Sequence, residues 1–104
     1  MVEKYKVITL CGSTKFKEAF IQEQRRLTLE GKIVISVGLF GHADGEYATV
    51  LTEEIKTMLD DMHKRKIDMA DEILVINPGG YIGSSTASEI DYAQKNNKVI
   101  RYLV

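Results

Sequence analysis

Four short apolar runs divide this sequence, and the segments between them carry helical periodicity. Lys6–Leu10 (KVITL), Lys32–Phe40 (KIVISVGLF), Asp71–Asn77 (DEILVIN) and Lys98–Val104 (KVIRYLV) are rich in Val and Ile and short enough to be strands. They show little polar alternation, as expected of strands covered on both faces. After the first run, Ser13 or Thr14 is placed to cap a helix. Phe16, Ala19, Phe20 and Leu27 follow at helical spacing, interrupted by Glu23, and Gly31 supplies the stop. Gly41–Val50 reads as a polar, Gly-containing loop. Over Leu51–Ala70, the residues Leu51, Ile55, Met58, Leu59, Met62 and Met69 fall on one helix face, and the methionines are read as core. Pro78-Gly79-Gly80 breaks the third run, and Ser84–Asn97 reads as a helix. The order β-α-β-α-β-α-β predicts an α/β fold. Its expected form is a doubly wound, mostly parallel sheet of four to five strands with helices on both faces, flavodoxin- or Rossmann-like, with right-handed crossovers. At 104 residues, with no repeat or linker, one domain spanning 1–104 is expected.

Composition narrows the function classes. A net charge of -1 gives no global field for a nucleic-acid polymer or a membrane surface. No apolar run approaches the ~18 residues of a membrane span, and MVEKYKVITL lacks the apolar core of a signal peptide. The single cysteine, Cys11, excludes an internal disulfide, suits a reducing compartment, and at the end of a buried run reads as a small core residue. A cytoplasmic protein is the expectation.

In open α/β sheets, ligands bind beyond the carboxyl ends of the strands. The first three runs end in Gly12-Ser13-Thr14-Lys15, in Gly41-His42-Ala43-Asp44-Gly45-Glu46-Tyr47, and in Asn77 through Thr86. The opposite edge gets plain connections such as Glu30-Gly31-Lys32, so a binding site is expected at the carboxyl edge.

Gly79–Thr86 is the richest of these segments. Its glycines let a ligand approach the backbone, and Ser84, Ser85 and Thr86 sit at a helix start that favours an anion such as phosphate. No Gly-Lys-Ser/Thr follows, so it is not a Walker A loop, and Gly12 stands alone, outside any dinucleotide fingerprint. A loop with a good N-cap is the alternative. Thr86-x-x-Glu89 is by spacing a capping box. Equally, a carboxylate in the first turn of a helix facing a cleft can attack a sugar carbon, where the transition state is cationic. His63-Lys64-Arg65-Lys66 is a basic run whose simplest reading is a solvated helix end, although His63 could titrate near neutrality. His42, Asp44 and Glu46 are too weak a set to predict a metal. Tyr47 and Tyr81 suit either stacking on a base or ordinary packing.

Beyond these patterns, the segment from Ala70-Asp71 through Asn77, then Gly80-Tyr81-Ile82-Gly83-Ser84-Ser85-Thr86, then Glu89-Ile90-Asp91-Tyr92-Ala93, resembles the core of the nucleoside 2-deoxyribosyltransferase-like superfamily. That superfamily includes the 2'-deoxynucleoside 5'-phosphate N-hydrolases. The likeness covers most of the chain and is most specific over residues 68–93. It implies an N-glycosidase or deoxyribosyltransferase acting on a small nucleoside or nucleotide, with Glu89 attacking the anomeric carbon. It further implies that Ser84 and Ser85 hold sugar or 5'-phosphate; on this enzymatic reading Ser13 and Thr86 join them, Tyr81 or Tyr47 contacts the base, and Gly12 and Gly83 belong to the same pocket. Gly83 stands where the transferases carry Asp. The family's acid on its second helix falls at His63, with Asp68 the nearest carboxylate. No metal and no cofactor are implied, and a homo-oligomer, a dimer, is expected. A nucleotide-binding module without catalysis, in which Glu89 is only a cap, is the competing expectation.

Overall fold

The computed structural model describes residues 1–47 and 49–104. Ala48, inside the predicted 41–50 loop, lies outside the described residues. The elements follow in the expected order: β1 (Val7–Gly12), α1 (Lys17–Leu29), β2 (Ile33–Ile35), α2 (Glu53–Asp68), β3 (Glu72–Ile76), α3 (Ser84–Lys95) and β4 (Val99–Tyr102). A short 3-10 turn, Pro78–Gly80, joins β3 to α3. The four strands form one parallel sheet in the order β2-β1-β3-β4.

Side chains of a strand alternate between the two faces of its sheet, and β1 uses both. Ile8 and Leu10 join Leu74 and Ile76 under Phe20 and Leu27 of α1. Cys11 joins Ile73 and Val75 under Ile67 of α2 and Ala93 of α3. Helices therefore cover both faces, α1 on one and α2 with α3 on the other. After β1 the chain moves outward to β2, then crosses back to β3 on the other side of β1. Between β1 and β3 the winding reverses, and a crevice opens there at the strands' carboxyl ends.

Three expectations shift. The second strand is three residues long, because Gly38 turns the chain at a positive φ of 84°. Val37 and Phe40 still pack on the core from the loop, Phe40 meeting Phe20 edge-on at 5.5 Å between ring centroids. Ser13 and Thr14 do not cap α1, whose N-cap is Phe16 with no side-chain bond. The methionines of α2 are not core: Met58, Met62 and Met69 are all exposed, and the helix buries His63 and Ile67. Met62 precedes His63 by one residue, which turns it ~100° away around the helix. A polar residue thus holds a seat that periodicity would give to an apolar one.

Two contacts fix α2 where it lies. Thr52 caps it by accepting a hydrogen bond from the Ile55 amide at 3.2 Å. The Thr9 hydroxyl of β1 donates to the Lys66 carbonyl at 2.9 Å. Thr52→Ala is expected to cost about 1 kcal/mol, the usual value of an N-cap, read as a lower urea midpoint with unchanged slope. Among the described residues, no helix is long and apolar enough to cross a membrane.

Candidate functional site

A cleft of about 150 Å³ lies over the β1/β3 crevice. Its walls come from the ends of β1, the loop after β2, the inward side of α2 and the start of α3. They include Gly12, Ser13, Thr14, His42 and Tyr47 on one side, and Asp60, His63, Ser85, Thr86 and Glu89 on the other. The loops after β1 and β2 are tied together: Thr14 Oγ1 accepts from the His42 amide at 3.2 Å and contacts His42 Nδ1 at 3.0 Å. The His42 ring stacks on Tyr47 at 4.0 Å between centroids.

Glu89 sits on α3, whose N-cap is Gly83 with no side-chain cap bond. Thr86 is already inside the helix, so the capping-box reading of Thr86 and Glu89 does not describe this helix start. Glu89 instead turns inward, its side chain 12% exposed, with Oε1 3.8 Å from His63 Nε2. His63 Nε2 in turn meets Cys11 Sγ at 3.4 Å. The Cys11 thiol also donates to the Glu89 carboxylate, and the Leu10 backbone carbonyl acts on the imidazole.

Burial governs the charges of this cluster. It raises the Glu89 carboxyl to about 7, assisted by the negative charge of Asp60 and opposed by Cys11, Lys64 and Lys66. Burial, then Lys66, lowers His63 to about 4, against the Leu10 carbonyl. Burial, then Glu89, pushes the Cys11 thiol well above its ordinary value. At neutral pH the floor of the cleft therefore holds a neutral imidazole, a thiol, and a carboxyl poised between its two forms. A histidine held neutral in this way is not a ready proton donor.

The expected site residues divide. Glu89, His63, Gly12, Ser13, Tyr47, Ser85 and Thr86 meet at the cleft. Ser84 lines an adjoining hollow with Ser85, Ser88, Asp60, Lys64 and Glu89. Tyr81 does not line the cleft: it packs edge-on against Phe16 at 5.8 Å under the Lys15 ammonium, and Gly83 lies beside its hydroxyl. Asp68 is elsewhere altogether. α2 runs back against the strands, so its last residue reaches the opposite sheet edge, where Asp68 accepts from the Tyr92 hydroxyl at 2.7 Å. The acid role expected of Asp68 fails on position. Asp60, which the sequence reading does not single out, is the carboxylate that α2 brings to the cleft. Its spacing, one turn before His63 on the same face, is the signal that could have found it. The basic run is likewise split: Arg65 is exposed, whereas Lys66 turns in and donates to the Ser36 carbonyl at 2.8 Å.

Among the described residues, one group of metal-ligand side chains converges, Cys11 with His63 and Glu89, all ligand atoms within 4.8 Å of one another. His42 and Asp44 are engaged separately, Asp44 with Lys17 at 2.9 Å. No protein-family model and no curated protein matches the chain.

Proposed function

We propose that the cleft cleaves or transfers the N-glycosidic bond of a nucleoside or nucleoside 5'-monophosphate, with Glu89 as nucleophile. The observation that carries this reading is the placement of Glu89: a carboxyl desolvated on the wall of a switch-point cleft, free of any capping duty. The likeness of residues 68–93 to the nucleoside 2-deoxyribosyltransferase-like superfamily supports the same role. A poorly solvated carboxylate is a strong nucleophile toward the cationic anomeric carbon. It forms the C–O bond as the C–N bond breaks, the electron pair leaving with the base, which takes up a proton. Water or a second base then attacks the glycosyl ester and frees Glu89. The free amides at the start of α3, with Ser84 and Ser85, suit an anionic 5' group, and Tyr47, stacked on His42, lines the wall beside the base.

Asp60 is the group assigned to the proton of the base, being the other carboxylate on the wall. Asp60→Asn is expected to lower kcat/KM for base release by about 10²–10³-fold, the scale of general acid–base catalysis. The reading itself is tested by incubating the protein with a panel of nucleosides and 5'-monophosphates and measuring free base by chromatography. Release from at least one substrate is the expected result, and release from none overturns it. A nucleotide-binding module without catalysis is favoured by one observation, the neutral His63 facing Glu89. It predicts a thermal shift with nucleotide but no free base.

A further inference from the structure

We propose that Cys11, His63 and Glu89 bind a zinc ion at the floor of the cleft. The three donors come from three separate elements, β1, α2 and α3, and converge where the core would otherwise be apolar. Two of their three separations are close to those of a tetrahedral site. With Zn–S near 2.3 Å and Zn–N and Zn–O near 2.0–2.2 Å, tetrahedral angles put donor atoms about 3.3–3.6 Å apart. Cys11 Sγ to His63 Nε2 is 3.4 Å and His63 Nε2 to Glu89 Oε1 is 3.8 Å. The third pair, Cys11 with Glu89, lies within 4.8 Å, so seating the ion draws the Glu89 side chain in by on the order of 1 Å.

The donor chemistry selects the metal. One thiolate, one imidazole and one carboxylate make the mixed, borderline-soft set that suits zinc, whereas magnesium and calcium take oxygen shells. Thiolate and carboxylate together neutralise the divalent charge, and the thiol proton passes to solvent as the Zn–S bond forms. Of the charged groups around the cluster, Asp60 favours a cation and Lys66 and Lys64 oppose it. The Leu10 carbonyl acts on the imidazole, the kind of partner that orients a metal-bound histidine. His63 and Glu89 also line the cleft, which gives the ion an entry path and leaves its fourth position for water. The proposal does not rest on the glycosidase reading, and the two uses of Glu89 exclude each other in one chain: a carboxylate bound to zinc is not free to attack a sugar carbon, so zinc would silence base release and chelator would restore it.

The test uses the whole chain, stripped with chelator and dialysed against zinc chloride without nucleotide, followed by elemental analysis. Wild type is expected to hold one zinc per chain. Cys11→Ala and Glu89→Gln are each expected to weaken binding at least ~100-fold, more than the usual 10–100-fold loss of an outer-shell partner. With cobalt(II) in place of zinc, wild type is expected to show thiolate-to-metal charge transfer and tetrahedral visible absorption, and Cys11→Ala to lose the former. Substoichiometric zinc in wild type, affinity unchanged in both variants, or a cobalt spectrum without thiolate character overturns the proposal. Should Cys11→Ala fail to fold by circular dichroism, the near-isosteric Glu89→Gln and the wild-type cobalt spectrum decide.

Discussion

Glu89→Gln is expected to reduce release of free base by at least ~10³-fold while leaving the chain folded, because removing a covalent nucleophile removes the reaction path itself. Equal release by the two proteins would sink the nucleophile assignment. The same substitution has a second signature, in stability. The Glu89 carboxyl is held at about 7 in the fold, against an ordinary 4.5. Between these values the folded chain keeps a proton that the unfolded chain gives up. Stability contributed by this group is therefore intact below pH ~4.5 and declines as pH rises to ~7. Glutamine cannot ionise, so the variant escapes that decline. Its advantage over wild type should grow across this window to on the order of 1–3 kcal/mol and then level off. His63 has the opposite sense: held near 4, it costs stability as pH falls below its ordinary 6.5. The two slopes largely cancel in wild type, so the difference between variant and wild type is the quantity to read. Urea denaturation in chelator-containing buffer at several pH values supplies it. A difference that is flat with pH would mean that the Glu89 carboxyl is not desolvated.

Gly12→Ala is expected to destabilise the fold by roughly 2–4 kcal/mol, the sum of overpacking and backbone strain. A Cβ at this position would lie 2.6 Å from the Ile76 carbonyl oxygen, 3.1 Å from Ile76 Cβ and 3.3 Å from Phe20 Cζ, at a φ of 155°. The nearest obstacle is backbone of the neighbouring strand, which cannot swing aside as a flexible side chain would. Gly79 provides the control. Its φ is 65°, but nothing lies within 4 Å of an added Cβ, so Gly79→Ala carries strain alone, about 1 kcal/mol. Paired denaturation curves separate the two contributions. If Gly12→Ala costs no more than Gly79→Ala, the close approach of β1 and β3 does not require glycine.

The element order and the parallel sheet were legible because strand and helix periodicities are local signals. So was the edge that carries the cleft, since polar and Gly-rich segments collect at only one end of the strands. Legibility failed where a residue's role depends on another element. Cys11 read as a small core residue because nothing in its neighbourhood announces His63 or Glu89; only the packing of α2 and α3 on one face of β1 brings them within 4.8 Å. Asp68 is the carboxylate of α2 nearest to the third strand in sequence, and Asp60 lies about two turns earlier. An antiparallel helix return reverses that order, carrying Asp60 to the carboxyl edge and Asp68 to the other. The methionines of α2 show a third kind of failure. Their spacing is helical, but spacing alone does not say which way a two-sided apolar helix faces.

The pairing of β1 with β3 also bears on how this chain reaches its native state. Ile8 lies opposite Glu72 and Gly12 opposite Ile76, so the central ladder closes loops of roughly sixty residues, and the flanking pairings are also parallel crossovers. Closing such loops costs entropy before any contact repays it, which makes high-contact-order sheets slow to form. The cleft is bounded by the very strands that must find each other across that distance. Neither half of the chain can hold its floor alone, and ligand recognition becomes available only once the central ladder has closed.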